Sequence, residues 1–263
     1  DDTAKWIANT NAVTFVANGG DGVMGDMSLK TDETASLTLN TFTKTNYNFM
    51  GWALAPNGVV EYTDGAQITM DADGITLYAV WELKAEAAFS YIGPITIDWS
   101  DDHDAYANAT FDIDTIPLAD GFVASVYTDE GCTNEVADPN AIPLNDGNNV
   151  FYVKVEKEQI SAFSLMPVVR SASTNSYVYK IEIYKPKTIT LSTVVMGETN
   201  IVKYQKENTE FAMPADPALS AGYIFEGWYT DEECTQAYEP AVQADSVVLY
   251  AKTSLVSYNI IYN

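Results

Sequence analysis

The stretch Asn46-Tyr47-Asn48-Phe49-Met50-Gly51-Trp52 decides the fold, because it returns later in the chain as Gly222-Tyr223-Ile224-Phe225-Glu226-Gly227-Trp228. The strand motif Leu-Tyr-Ala follows each copy after an acidic turn, at Leu77–Ala79 and again at Leu249–Ala251. Two motifs repeated in the same order and at a similar separation indicate a duplicated structural unit. We therefore expect two related small modules in one chain.

Strands dominate the rest of the pattern. Apolar side chains alternate with polar ones in four stretches: Ile75, Leu77, Ala79 and Trp81; Ile95, Ile97 and Trp99; Phe151, Val153 and Val155; and Tyr177, Tyr179, Ile181 and Ile183. A period of two is typical of strands with one buried face. Turn clusters rich in Gly, Asn and Asp separate these stretches, and no long segment has a helical period. The sequence predicts an all-β fold.

The composition places the chain among folded proteins. Of 263 residues, 47% are hydrophobic and 12% are aromatic, which is too many for a disordered chain. The length suggests two or more domains. No apolar run reaches the roughly 18 residues that span a bilayer, and no signal-like segment opens the chain. We expect this sequence to be part of a longer protein.

The net charge restricts the partners. The chain has 13 Lys and Arg against 37 Asp and Glu, which gives a net charge of −24. Nucleic-acid surfaces need several clustered cations, but Arg170 is the only arginine and the lysines do not cluster. This charge excludes DNA and RNA and disfavours heparin-like polyanions and anionic membranes. Acidic surfaces also keep proteins apart, so we expect a monomer that does not insert into a membrane.

The first copy resembles a known family. Its motifs stand in order at Val13–Gly20, Tyr47–Trp52, Tyr62–Gly65 and Leu77–Trp81. Together they resemble the Listeria–Bacteroides repeat, also called the internalin B-repeat, over residues 12–83. The resemblance implies a β-grasp-like module of the kind found in tandem on secreted and cell-wall proteins of bacteria.

Residues 187–253 resemble a second, more divergent copy. They lack the Asn-Gly-Gly that follows the first strand of the first copy, and read Thr190–Thr193 there. Lys252 and Thr253 also stand where the first copy has Val80 and Trp81. These departures weaken any transfer of a binding surface between the copies.

The segment at 84–186, between the copies, has a pattern of its own. The run Ile142–Val155 contains an Asn-Asp-Gly-Asn turn, and the aromatic-rich run Tyr177–Ile183 follows it. Both resemble the last strands of bacterial cadherin-like modules. About seven short strands in roughly 100 residues also suit an Ig-like β-sandwich. We expect residues 1–11 to be a linker, and residues 254–263 resemble the truncated start of a further repeat.

The two tryptophans of the repeated motif, Trp52 and Trp228, are candidates for stacking on sugars. The preferred interpretation is that each is the core anchor of its module, because a module of about 70 residues has little surface to bury. The glycine before each tryptophan, Gly51 or Gly227, then allows a bulge or a close backbone approach.

Cysteine and histidine chemistry is sparse. Cys132 and Cys234 lie in similar stretches, Tyr127–Thr133 and Tyr229–Thr235, so we expect equivalent turns in different modules. That placement disfavours a disulfide between them, and two thiols are expected. His103 is the only histidine, so four Cys or His ligands for a structural zinc do not exist. No metal or cofactor is expected.

The densest acidic cluster surrounds His103 and consists of Asp98, Asp101, Asp102 and Asp104. Closely spaced carboxylates can bind calcium, but this spacing does not match an EF-hand loop. The preferred interpretation is a solvated loop with an exposed histidine.

These observations favour a non-catalytic fragment of a secreted or wall-attached bacterial surface protein. It would act as a stalk or spacer, with short linkers such as Lys185–Lys187 limiting bending, and its partners would be a host or cell-surface protein or a glycan. The alternative is a glycan-binding accessory module of an extracellular carbohydrate-active enzyme, which requires exposed aromatics such as Trp99 and Tyr106. No paired acid and base can be located by motif, so we do not expect an enzyme.

Overall fold

The structure is a computed structural model that describes residues 9–158 and 175–258, and these residues form a mainly β protein as the alternation predicts. The first copy contains β1 Thr10–Val16, β2 Met27–Lys30, β3 Thr34–Ser36, β4 Tyr47–Ala53, β5 Gln67–Thr69 and β6 Ile75–Leu83. The central segment contains β7 Ile95–Thr96, α1 His103–Ala107, β8 Thr110–Phe111, β9 Phe122–Tyr127, β10 Ile142–Pro143, β11 Gly147–Lys157 and β12 Ser176–Lys185. The second copy contains β13 Thr188–Val195, β14 Glu198–Lys206, β15 Thr209–Glu210, β16 Tyr223–Tyr229, β17 Val242–Gln243 and β18 Val247–Leu255. Two short 3₁₀ turns lie at Ala85–Ala87 and Ile113–Thr115.

The chain divides into two compact units. The first comprises the described parts of 1–90, 116–124 and 154–179, and the second those of 91–115, 125–153 and 180–263. The expected boundary at residue 84 therefore lies inside the first unit, and the expected linker Lys185–Lys187 lies inside the second. The residues before and after position 84 therefore belong to one compact unit, and so do the residues before and after Lys185–Lys187.

The first copy, in the first unit, has a four-stranded sheet in the order β2-β1-β6-β4. Its two central strands, β1 and β6, run parallel with Val13 opposite Ile75, and the outer strands are antiparallel. Parallel neighbours need a long crossover, and here the crossover includes β3 and β5, which form a separate two-stranded ladder. This sheet order is that of a β-grasp unit, with β3 on the connection from β2 to β4.

The second copy, in the second unit, repeats this arrangement strand for strand. Its sheet order is β14-β13-β18-β16 with β13 and β18 parallel, and β15 pairs with β17. The strand register shows that the expected position of the missing turn was wrong, because Thr190–Thr193 lies inside β13. Met196 and Gly197 are the equivalents of Asn18 and Gly19, and all four have a positive φ, of 52°, 89°, 50° and 84° respectively. The turn is therefore retained with different residues.

Both tryptophans of the repeated motif are core residues, as expected. Trp52 has no exposed surface, and the rings of Phe15 and Phe49 each lie 4.9 Å from it. Trp228 is 5% exposed and packs against Phe225 at 5.1 Å. Large aromatic rings contribute most of the buried area of such small cores. Neither tryptophan is available for stacking on a ligand.

A bulge precedes each tryptophan, as expected from the glycines. The β4–β6 ladder shifts register between Phe49 and Gly51, and the β16–β18 ladder shifts between Phe225 and Gly227. The two glycines have φ of 137° and 141°, in a region that L side chains rarely adopt. The bulge turns the next side chain, the tryptophan, into the core.

The central segment has a four-stranded sheet in the order β7-β12-β11-β9 and a two-stranded ladder of β10 and β8. The alternation predicted for β11 and β12 is confirmed by the buried side chains Phe151, Val153, Val155, Ile181 and Ile183. The strand predicted over 95–99 is shorter than expected, since β7 ends at Thr96. The cadherin-like sandwich itself remains a prediction.

Candidate functional site: the junctions between modules

The four aspartates around His103 are exposed, as expected, but the expected loop is interrupted by a short helix. Residues 103–107 form α1, and the Asp102 side chain caps it by accepting a hydrogen bond from the Ala105 N–H at 3.1 Å. Within residues 9–158 and 175–258, no group of three or more His, Cys, Asp or Glu side chains is placed to hold a metal ion. The most elaborate side-chain networks lie instead where the chain passes between modules.

Asn175 forms the first junction, where β6 of the first copy ends. Its side-chain oxygen accepts a hydrogen bond from the Ala85 N–H at 2.7 Å. Its side-chain nitrogen donates to the Leu83 carbonyl at 2.8 Å and to Glu82 Oε2 at 2.9 Å. One amide thus contacts three residues, Glu82 and Leu83 at the strand end and Ala85 at the start of the 3₁₀ turn that follows it.

Tyr179, on β12, adds an aromatic contact to the first junction. Its hydroxyl donates to the Ala85 carbonyl at 2.9 Å, and its ring meets Phe89 edge-on at 5.1 Å. Burial raises the pKa of Tyr179 above its ordinary value. The hydroxyl is therefore neutral at physiological pH and remains a hydrogen-bond donor.

Tyr106 and Lys185 form the core of the second junction. The Tyr106 hydroxyl donates to the Pro186 carbonyl at 2.7 Å, and the side chain is 4% exposed. Burial, with the nearby Asp146 and Glu207 charges, raises the pKa of Tyr106 to about 12. Lys185 is 2% exposed; its ammonium donates to the Ala107 carbonyl at 3.0 Å and pairs with Asp146 at 3.2 Å.

Glu207 joins the linker to the second copy. Its Oε1 accepts from the Tyr184 hydroxyl at 2.6 Å and from the Lys187 N–H at 2.7 Å. The Glu207 N–H in turn donates to the Lys187 carbonyl at 2.9 Å. These hydrogen bonds from Tyr184 and then Lys187 lower the pKa of Glu207. The Lys187 ammonium pairs with Asp245 at 2.5 Å, so the linker contacts the second copy just after β14 and just before β18.

Two further residues singled out from the sequence complete the second junction. The Trp99 indole N–H donates to Thr188 Oγ1 at 3.1 Å, and the His103 ring stacks on Tyr204 at 3.9 Å. The expectation of an exposed His103 is therefore wrong, because the ring is half-buried against β14. Trp99 and Tyr106, on which the glycan-binding alternative depended, are also engaged in the junction.

The turns that contain the two cysteines are equivalent, as expected. Asp129 accepts hydrogen bonds from the Thr133 N–H, from its hydroxyl at 2.8 Å and from the Asn134 N–H at 2.7 Å. Asp231 accepts the matching set from Thr235 and Gln236 with the same two distances. Each cysteine is in the thiol form with a positive φ, so the prediction of two thiols in polar turns is confirmed.

These two turns should make the protein sensitive to acid. Hydrogen bonds lower the pKa of Asp129, mainly from the Asn134 N–H, and that of Asp231, mainly from the Thr235 N–H. A carboxyl whose pKa is lower in the folded state stabilises the fold above its unfolded pKa, about 3.9, and this contribution is lost as the pH falls through the folded value. We expect the melting temperature to decrease as the pH is lowered below about 4. The Asp231→Asn variant should show a smaller decrease over the same pH range.

The check is the melting temperature of both proteins between pH 6 and pH 2, with Asp129→Asn as the matched variant. Each substitution should change the amide NMR signals of its own turn and leave those of the other turn in place. An equally steep acid dependence in Asp231→Asn would contradict this assignment.

The fold and the junctions define a class of protein: a mainly β protein with two copies of one small unit, whose ends are held by polar side-chain contacts. The chain belongs to the Listeria–Bacteroides repeat domain family, whose family model matches residues 12–80 and 173–252, more than half of the chain. The match confirms the two expected repeats, and its second part begins ahead of the expected boundary at 187. Repeats of this family occur in extracellular bacterial surface proteins.

A curated relative is a Gly-rich membrane protein of Evansella cellulosilytica. It is 25% identical to this chain over 230 residues, which cover 82% of the chain and 23% of the relative. The chain thus spans about a quarter of the relative's length. In the described residues of this chain, every helix is too short and too polar to cross a bilayer. The expected tail repeat at 254–263 lies partly outside the described residues, and so do residues 1–8 of the expected linker.

Proposed function

We propose that this chain is a non-catalytic spacer in a secreted or cell-wall-attached bacterial surface protein. The observation that carries the proposal is the pair of junctions. Asn175 binds the backbone at the first, while Tyr106 and Glu207 bind the linker backbone at the second and Lys185 of that linker binds the Ala107 carbonyl. Pro186 adds stiffness, because proline fixes its own φ and restricts the residue before it. Junctions of this kind order the chain where one module ends and the next begins.

The modules of the spacer are residues 12–83, 84–186 and 187–253. Membership of the repeat family supports the first and last of these, and the surface charge supports a monomeric spacer. With a net charge of −24, neighbouring copies repel one another at low ionic strength. A monomeric spacer of this kind would place another part of the parent protein away from the cell wall.

Removal of the Asn175 side chain should loosen the first junction without unfolding either neighbour. In Asn175→Ala the Leu83 carbonyl and the Ala85 N–H lose their partner at a partly exposed site, where the free energy of unfolding falls by about 1 kcal/mol. ¹⁵N relaxation measures the rotational correlation time of each module. We expect residues 10–83 to share one correlation time with β12 in the wild type and to have a shorter one in Asn175→Ala.

Two matched variants sharpen this test. Asn175→Asp keeps the acceptor for Ala85 but places a carboxylate near Glu82, so its correlation time should lie between those of the wild type and Asn175→Ala. Asn57→Ala, in an exposed loop of the first copy, should match the wild type. Independent tumbling of the first copy in the wild type would contradict the spacer proposal.

A further inference from the structure

The central segment has a pocket between the turn that follows β9, the strand β10 and the start of β11. Its volume is about 490 Å³, which lies within the range of about 300–1,000 Å³ that is typical of small-ligand sites. Its lining includes Thr128, Val136, Pro143, Asn145, Asn148 and Val150. These residues all belong to the second compact unit. The pocket is therefore formed within one unit and is large enough for a small ligand.

A buried asparagine holds the turn that leads into β11. Asn149 is 7% exposed, and its side-chain oxygen accepts a hydrogen bond from the Asn145 N–H at 2.8 Å. Its side-chain nitrogen donates to the Asn145 carbonyl at 2.8 Å and to the Ile183 carbonyl at 3.2 Å. Buried polar groups that are fully hydrogen-bonded make the surrounding backbone rigid. The backbone of Asn145 and Asn148 is therefore fixed before any ligand binds.

The rim of the pocket has hydrogen-bonding groups that the protein does not use. Asn145 and Asn148 are exposed, and among residues 9–158 and 175–258 no group bonds to either side chain. The Thr128 hydroxyl donates to the Asn134 carbonyl at 3.5 Å and can still accept a hydrogen bond. Each side-chain amide offers two donor hydrogens and one acceptor oxygen. This rim fits a ligand whose groups both donate and accept, as hydroxyl and acetamido groups do.

The pocket also has accessible apolar surface. Pro143 is exposed, and Val136 and Val150 are half-buried. Small-ligand sites commonly combine apolar surface of this kind with a few polar groups that fix the orientation of the ligand. The C–H face of a sugar ring, or the methyl group of an acetamido substituent, can be removed from water against these three side chains.

The charge of the pocket excludes charged ligands. The residues that line it include no Asp, Glu, Lys or Arg, although the chain has 37 Asp and Glu. A charged ligand would be partly dehydrated here without a counter-charge, which is unfavourable. An anionic ligand would also be repelled by the net charge of −24. The ligand that fits is therefore uncharged.

We propose that this pocket binds an uncharged N-acetylated sugar. The side-chain amides of Asn145 and Asn148 bind its acetamido and hydroxyl groups, and its apolar face lies against Val136, Pro143 and Val150. The site goes beyond the spacer function, because it assigns a ligand of stated chemistry to the central segment. It is also separate from Trp99 and Tyr106, which are engaged in the second junction.

The probe is N,N′-diacetylchitobiose, titrated into the ¹⁵N-labelled full chain. Saturable shifts should be centred on Thr128, Val136 and the amides of residues 145–150, with a dissociation constant in the millimolar range. Cellobiose has the same linkage but hydroxyl groups in place of the acetamido groups, and it should bind about fivefold more weakly because it loses an acetamido hydrogen bond. The double variant N145A/N148A should weaken binding of diacetylchitobiose about tenfold or more.

The control is N57A/N200A, which removes two exposed side-chain amides from the two repeat copies and should leave the affinity within about twofold of the wild type. Unchanged spectra outside the pocket show that each variant is folded. The proposal is overturned if diacetylchitobiose causes no saturable shifts at tens of millimolar, or if N145A/N148A binds it as the wild type does. It is also overturned if cellobiose or a blocked alanine dipeptide binds as tightly. None of these results would alter the Asn175→Ala outcome, so failure of the pocket is distinct from failure of the spacer.

Discussion

The Gly51→Ala variant is expected to lose the folded first copy. Its methyl group would lie 2.6 Å from the Tyr62 carbonyl oxygen, and the backbone φ of 137° is strained for any residue with a Cβ. Backbone strain of this kind costs about 1–3 kcal/mol and overpacking adds about 1–3 kcal/mol. The free energy of unfolding of the first copy should fall by about 4 kcal/mol, which is a large part of the stability of a small module.

Gly227→Ala is the matched control, because it has the same strain without the clash. Its φ is 141°, but the methyl group would meet only the Tyr229 ring at 3.7 Å. We expect a loss of about 1–2 kcal/mol. Hydrogen exchange followed by mass spectrometry reports protection for each copy separately. Equal losses of protection in the two copies would show that the Val60–Tyr62 segment does not constrain Gly51.

The sequence contained the information for the repeated unit, because that unit is held together by local patterns. The glycine–tryptophan pairs, the alternation along β6 and the acidic turns each depend on residues a few positions apart, which sequence periodicity can reveal. The same holds for the turns around Cys132 and Cys234, whose hydrogen bonds span only four or five residues. These features were predicted correctly because the interactions that stabilise them are short in sequence.

The junctions could not be predicted, because their partners are distant in sequence. Asn175 contacts residues about 90 positions away, and Tyr106 contacts Pro186 across 80 positions. An asparagine beside a strand and a tyrosine in an acidic stretch resemble ordinary surface residues. Only the fold brings them to the backbone of the linkers. A single signal was present: Tyr106 and Trp99 are large aromatics in an otherwise acidic segment, and such residues are more often buried than exposed.

The register of the second copy's first turn was misjudged for a related reason. A type of turn with two positive φ values favours Asn-Gly, so the absence of that dipeptide suggested that the turn was absent. Met196 takes the first position instead, at φ 52°, and Gly197 keeps the second. Tertiary pairing of β13 with β14 and β18 therefore overrides the local preference of the residue.

Asp146→Asn should destabilise the second junction more than removal of the lysine with which Asp146 pairs. In Asp146→Asn the Lys185 side chain stays 97% buried and its ammonium retains the Ala107 carbonyl and the Tyr106 ring, but it loses its counter-charge. An uncompensated buried charge costs about 3 kcal/mol. In Lys185→Met the volume of the aliphatic side chain is retained, and Asp146, which is 51% exposed, stays hydrated. The Ala107 carbonyl loses the hydrogen bond from the Lys185 ammonium. That change should cost about 1 kcal/mol.

The measurement is the free energy of unfolding by urea at pH 7, with hydrogen exchange of the Lys185–Lys187 amides as a local report. Glu182→Gln, which removes the counter-charge of the exposed Lys180, is the matched control and should have little effect because surface pairs contribute little. If Lys185→Met is at least as destabilised as Asp146→Asn, the pair is a net source of stability. In that case the attraction of the two charges stabilises the junction. A smaller loss of unfolding free energy in Lys185→Met means instead that the lysine fixes the position of the Ala107 carbonyl and of Asp146 against the linker.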